Sequence, residues 1–203
     1  MQIKRPTPRL RRLPAEMPAL RFMNDMKLKS VIFPLLFVLI FAFSNRAQEI
    51  AFDPDVPNLK KINDFLYRGG KPTAEGMLKL ARMGVKTVIN LRNDGSDRDE
   101  EAEWAKKANL NFFTVPLNIW FRPKDSQMKK ILAIIEAAAN QPVYVHCRLG
   151  ADRSGMVVAV YRITHDGWTA KEANDEAKAN GLGKWQIRMR DYINDVYRDF
   201  RKK

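Results

Sequence analysis

The one cysteine of this 203-residue chain has neighbours that suit a nucleophile better than a packing residue. Cys147 lies in His146-Cys147-Arg148-Leu149-Gly150-Ala151-Asp152-Arg153-Ser154-Gly155, after Val143-Tyr144-Val145 and before the apolar stretch Met156 to Ile163. A tight loop that leaves a strand and opens a helix aims several backbone N–H groups inward. The helix N-terminus adds partial positive charge, so a phosphate dianion can be wrapped without a metal. The same field favours a thiolate at Cys147, which makes it a nucleophile at neutral pH. Arg153 follows after five intervening residues and can return across the loop to grip two phosphate oxygens, a bidentate contact that lysine cannot reproduce. Ser154 can donate a hydrogen bond to the sulfur. His146 lies on the strand side of the nucleophile and is expected to orient the loop from behind rather than act as a base.

The elements that must position this loop are legible in the pattern. Phe65-Leu66-Tyr67 is a short apolar run ended by Gly69-Gly70, and Pro72-Thr73 starts a helix-like stretch carrying Met77, Leu78, Leu80 and Ala81, stopped by Gly84. Val85 to Leu91 reads as a strand, Asp94 to Glu103 leads into a helix ending near Asn109, and Leu110 to Leu117 is the next strand. From Ser126 to Ala139 the apolar positions Met128, Ile131, Leu132, Ile134 and Ile135 have the spacing of a core-facing helix, with Asp125 at its expected N-cap. Val143 to Val145 suits a central buried strand, and Met156 to Ile163 a helix packed on all sides. Thr169 and Glu172 have capping-box spacing for a helix to about Asn180, and a last helix carries Tyr192, Ile193, Val196, Tyr197 and Phe200. Strands alternating with helices predict an α/β domain with a mainly parallel central sheet flanked by helices.

Composition bounds the rest. With 45% hydrophobic and 29% charged residues the chain is neither wholly disordered nor a multi-span membrane protein, and its length suits one domain. The net charge is +13, and residues 1 to 47 hold nine Lys+Arg against two Asp+Glu, so about half of that charge precedes the domain. No basic run interleaved with aromatics appears, which argues against nucleic-acid binding. Lys27 and Lys29, the apolar stretch Val31 to Phe43 and Ser44-Asn45-Arg46-Ala47 have the layout of a secretory signal peptide. As a helix the apolar part rises only about 20 Å, short of the roughly 30 Å hydrocarbon core. Cleavage and export to a periplasm or the medium are therefore expected, with a retained N-terminal membrane anchor as the alternative. The expected organisation is an extension over 1–25 that precedes the true start at Met23 or Met26, a signal peptide over 26–47 and a single domain over 48–203. An exported protein with one cysteine forms no internal disulfide, which leaves Cys147 another use and excludes a Cys-x-x-Cys oxidoreductase.

Read as H-C-x5-R-S, the loop resembles the signature of the protein tyrosine and dual-specificity phosphatase superfamily. Leu66-Tyr67-Arg68-Gly69-Gly70, Val85 to Arg92 and Tyr161-Arg162-Ile163 through Trp168 look like its small exported bacterial members, so the resemblance spans about residues 60 to 185. It implies a cysteinyl-phosphate intermediate on Cys147, later hydrolysed by water, with no metal or other cofactor. It also implies phosphate binding by residues 148 to 153: Arg148, Leu149, Gly150, Ala151, Asp152 and Arg153.

The general acid departs from the family pattern, because Pro116 to Trp120, where an upstream Asp is usual, has no acid. Asp152 is one candidate, since myotubularin-like and Sac-like lipid phosphatases also place Asp before the arginine. Asp125 is the other. Asp94, Asp97 and Asp99 read as a solvated acidic turn. Three alternatives remain beside the phosphatase: a phosphate-recognition module without turnover, a hydrolase of phosphoinositides or inositol phosphates, and a rhodanese-like sulfurtransferase, which has no need of Arg153-Ser154. The expected partner is a phosphorylated protein, phosphotyrosine foremost, or a small phosphoester. Lys71, Arg122 and Lys124 are candidate extra cations, and Trp120 and Phe121 candidate mouth residues.

Overall fold

A computed structural model of the chain describes residues 53–95 and 97–202. The leader, its cleavage site and the N-terminal extension lie outside these residues. The domain contains β1 (Lys60–Lys61), β2 (Leu66–Gly69), α1 (Ala74–Arg82), β3 (Thr87–Asn90), α2 (Arg98–Lys107), β4 (Asn111–Thr114), α3 (Asp125–Glu136), β5 (Val143–His146), α4 (Asp152–Thr164), α5 (Ala170–Ala179) and α6 (Ile187–Phe200). The sheet order is β1-β2-β5-β3-β4. Strands β2, β5, β3 and β4 are parallel, and the two-residue β1, which no sequence pattern announced, runs antiparallel to β2.

Side-chain alternation along the strands divides the core into two layers. Val143 and Val145 of β5, Ile89 of β3 and Leu66 of β2 face the cluster built with α3, α4, α5 and α6. Tyr144 and Val88 face the opposite cluster, which holds Met77 and Leu80 of α1 and Ala105 of α2. Helix α4 is buried without a break from Arg153 to Tyr161, as its unbroken apolar sequence predicts. The first helix is more one-sided than its sequence suggests, since Leu78 is exposed while Met77 and Leu80 are buried.

Caps fix where the helices begin. The Thr73 hydroxyl accepts from the Gly76 N–H at 3.0 Å, and Thr169 and Glu172 form a reciprocal box at the start of α5. At α3 the expectation is corrected. Asp125 is the first helical residue, Lys124 occupies the cap position, and Gln127 Oε1 accepts from the Lys124 N–H at 2.9 Å. Asp125 instead accepts from the Tyr192 hydroxyl at 3.1 Å, which ties α3 to α6.

The parallel register places Gly69, His146 and Asn90 side by side at the carboxyl ends of β2, β5 and β3. Three loops therefore leave the sheet along one edge, the place where open α/β sheets bind ligands.

Candidate active site

Cys147 begins the loop between β5 and α4 and is 2% exposed. What shapes the loop is the fate of its carbonyls. Arg148 O accepts from the Lys71 N–H at 3.2 Å and Leu149 O from Asn58 Nδ2 at 2.8 Å. Gly150 O and Ala151 O both accept from Arg68 Nη2. Four successive carbonyls thus have partners away from the sulfur, and the Gly150 and Ser154 amides reach toward it. Gly150 is the residue that permits this. Its φ is +71°, and a Cβ there would come within 2.3 Å of the Gly69 carbonyl carbon.

The electrostatics follow from that geometry. Burial opposes ionisation of Cys147. The Ser154 backbone N–H and hydroxyl, the Arg153 charge and the Gly150 N–H together outweigh it, so the thiol pKa lies below its ordinary value. The Ser154 Oγ lies 3.7 Å from Sγ. Arg153, 6% exposed, reaches from the first turn of α4 to the β3 loop, where its Nη1 donates to Asn93 Oδ1 at 3.2 Å and to Leu91 O at 3.5 Å. The guanidinium is held by neutral acceptors and forms no salt bridge among the described residues, although its charge helps to lower the Asp94 pKa.

Above Cys147 opens a cavity of about 280 Å³ lined by Ile119, Cys147, Arg148, Leu149, Asp152 and Arg153. Of the two candidate acids, Asp152 lines this space and Asp125 does not. One Asp152 oxygen also accepts from the Gly183 N–H at 2.8 Å, which anchors the α5–α6 loop beside the cavity. Trp120 and Phe121, next to Ile119, are 73% and 62% exposed, and Leu149 is 63% exposed. The candidate extra cations do not line the cavity. Lys71 pairs with Asp97 and lies over Trp104, and Arg122 pairs with Asp195 and lies over Tyr192.

Beneath the loop His146 is fully buried. Its Nδ1 lies 3.3 Å from Cys147 O and its Nε2 lies 3.3 Å from Glu101 Oε2. Glu101, also fully buried, pairs with Arg92 at 2.5 Å and accepts from Asn90 Nδ2 at 3.3 Å. The acidic turn is therefore only partly solvated, since Asp94 and Asp97 hold Arg92 at 3.0 and 2.8 Å.

Sequence reasoning missed Glu101, Asn93, Asn58, Ile119 and the role of Arg68. Two of them left a signal. Arg68 shares a strand face with Leu66, so alternation alone marks it as a cation turned into the core. Glu101 stands four residues before Ala105 on the inner face of α2.

A family model described as "DSP-PTPase phosphatase fused to NAD+ Kinase" matches residues 44–195. This chain belongs to that family. The dual specificity protein phosphatase TpbA of Pseudomonas aeruginosa is 31% identical over 134 residues, covering 66% of this chain and 58% of TpbA. The chain thus matches less than two thirds of that curated relative. The crystal structure of P. aeruginosa TpbA superposes with a TM-score of 0.60 at 27% identity, covering 76% of this chain and 99% of that one. A TpbA variant in complex with pTyr gives 0.60 at 26%, covering 75% and 95%. Inositol diphosphatase DSP5 of Arabidopsis thaliana is 24% identical over 144 residues, covering 68% of this chain and 69% of DSP5. The DSP-PTPase domain thus has the expected α/β fold, with the Cys147 loop at the carboxyl edge of its sheet.

Proposed function

We propose that this protein is a cysteine-dependent phosphomonoester hydrolase that works through a phosphocysteine on Cys147. One observation carries the reading: the carbonyls of residues 148 to 151 are all bonded outward around a thiol whose ionisation the inward amides favour. The thiolate attacks phosphorus and the P–O bond to the leaving group breaks. Arg153 and the loop amides hold the three non-bridging oxygens as charge moves on them. Asp152, which lines the cavity, is the proposed proton donor to the leaving oxygen. In the second step it takes a proton from the water that attacks phosphocysteine, releasing orthophosphate and restoring the thiolate. Ser154 donates to the sulfur as it leaves. The cradle supplies the positive charge that a metal ion would otherwise bring.

An aryl phosphate, phosphotyrosine in a protein foremost, is the proposed substrate. The apolar lining from Ile119 and Leu149, with Trp120 close by in the chain, supports it, as does the TpbA relative held with pTyr. The relative named inositol diphosphatase supports a second substrate class, inositol phosphates. Export through the 26–47 leader is proposed with the same activity.

Turnover of p-nitrophenyl phosphate against pH tests the reaction. Activity should persist in chelator, and Cys147→Ser should lower it at least about a thousandfold. Asp152→Asn should lose the basic limb of the profile, because an acid must be protonated to donate. Orthophosphate binding without turnover by the parent would instead identify a phosphate-recognition module. Relative kcat/KM on a phosphotyrosine peptide and on an inositol pyrophosphate separates the two substrate classes.

A further inference from the structure

Arg68 is 1% exposed, and a buried cation is costly unless something compensates it. Its Nη2 donates to three carbonyls, Gly150 O, Ala151 O at 3.1 Å and Asn180 O at 3.3 Å. Its Nε and Nη1 have no hydrogen-bond partner among the described residues. No carboxylate among the described residues forms a salt bridge with it, whereas buried Arg92 has three. The guanidinium packs against Gly155 in the first turn of α4, where an added Cβ would stand 3.4 Å from Nη2. It lies on the buried side of the loop and does not line the cavity.

Carbonyl dipoles orient such a cation but leave its net charge uncancelled. The negative groups available in the interior then decide what the charge does. Burial draws the Arg68 pKa down. Against that, the Cys147 thiolate is the foremost opposing influence, ahead of Glu176 and Tyr144. Around the thiol itself stand the Ser154 hydroxyl and amide, the Gly150 amide, Arg153, the Arg148 and Asp152 side chains that line the cavity, and buried His146 and Tyr144. Arg153 is the cation with the larger effect on the thiol, and Arg68, on which the thiolate is the foremost negative influence, differs from it in not lining the cavity.

Resting on the reading of Cys147 as nucleophile, we infer that Arg68 is a positioning residue for the reaction, the buried counter-charge of the Cys147 thiolate. Its three carbonyl bonds also turn the loop so that Arg153 and the amides meet the phosphate. Two arginines then divide the work, Arg153 on the substrate and Arg68 on the nucleophile from the protein side. In a buried setting the second charge is screened less than in water and is in place before any phosphate arrives.

The test uses the full chain and reads the thiol directly, through the rate of iodoacetamide alkylation from pH 4 to 9. Parent, Arg68→Met, Arg68→Gln and Arg68→Lys are compared, with circular dichroism to establish folding. The parent thiol should titrate below the ordinary cysteine range. Arg68→Met should move its midpoint up by about one pH unit, which is about tenfold slower alkylation on the acid side. Arg68→Lys, which keeps the charge, should stay within about threefold of the parent. If the Met variant does not fold, Arg68→Gln carries the same comparison, because it is neutral and still donates to a carbonyl. An unchanged profile in the neutral variants would overturn the inference, as would a lysine variant shifted as far as the neutral ones. A parent thiol with an ordinary midpoint and no turnover would sink the nucleophile reading itself. An acidic thiol and full turnover in parent and neutral variants alike would sink only the role of Arg68.

Discussion

Two arginines lie buried under the same sheet edge, and their surroundings differ. Arg92 is enclosed by Asp94, Asp97 and Glu101. Burial disfavours its charge, and its hydrogen bonds to Asp94 and Asp97 with the field of Glu101 more than restore it, so its pKa ends well above the ordinary arginine value. Arg68 meets only carbonyl oxygens, and its pKa ends below the ordinary value. A cation cancelled by three carboxylates can brace a loop but projects little field. One held by neutral dipoles is left with its charge uncancelled, and the Cys147 thiolate is the foremost negative influence on it. The contrast separates residues that hold the site together from residues that tune its chemistry.

The largest expected effect breaks the bracing side. Glu101→Gln leaves Arg92 short of a partner and His146 facing an amide, and it should cost about 3–5 kcal/mol in urea unfolding. The thiol alkylation profile of the folded fraction should stay near that of the parent. A shift as large as that of Arg68→Met would erase the distinction between the two arginines.

Next comes the loop that Arg68 holds. Gly150→Ala places a methyl against the Gly69 backbone in a left-handed conformation. It should destabilise the fold by about 1–3 kcal/mol and abolish measurable orthophosphate inhibition. Retained inhibition would show that the outward carbonyls are not what shapes the cradle. Asn58→Ala removes only the bond to Leu149 O, so a loss of about 1 kcal/mol and a few-fold rise in KM should follow, with the pH profile unmoved.

A pH titration of stability gives the smallest effect. The Asp97 pKa is lowered chiefly by its hydrogen bond to Lys71, with Arg92 assisting against burial. A carboxylate depressed in the folded state stabilises above its unfolded pKa, about 4, and that stabilisation is lost as pH falls through the folded value. The urea midpoint should therefore decline below pH 4 in the parent. In Asp97→Asn it should start lower at neutral pH and decline less. Equal slopes would show that Asp97 contributes no pH-dependent stability.

Much of the fold was legible because its periodicities are strong. The strand at Val143 to Val145 and the helix from Met156 to Ile163 occur where the apolar pattern puts them, as does the capping box at Thr169 and Glu172. Element ends were less so. Asp125 has the composition of a cap yet became the first helical residue, because Gln127 satisfied the Lys124 N–H and Tyr192 took the carboxylate.

By itself, the order of residues determined the chemistry that one short segment can perform. Cys147, Gly150, Arg153 and Ser154 are close in sequence, and a strand-loop-helix turn brings them together through local backbone geometry. What stands behind that segment was decided only by tertiary structure. Arg68, Glu101, Asn93 and Asn58 come from four separate stretches, and parallel strand register with helix packing brings them beneath or beside the loop. The same packing separated Asp152 from Asp125, seating one against the cavity and the other against Tyr192. The physical reason is that a polar side chain's role depends on which charges and dipoles share its desolvated surroundings. Those neighbours are set by contacts between residues far apart in the chain.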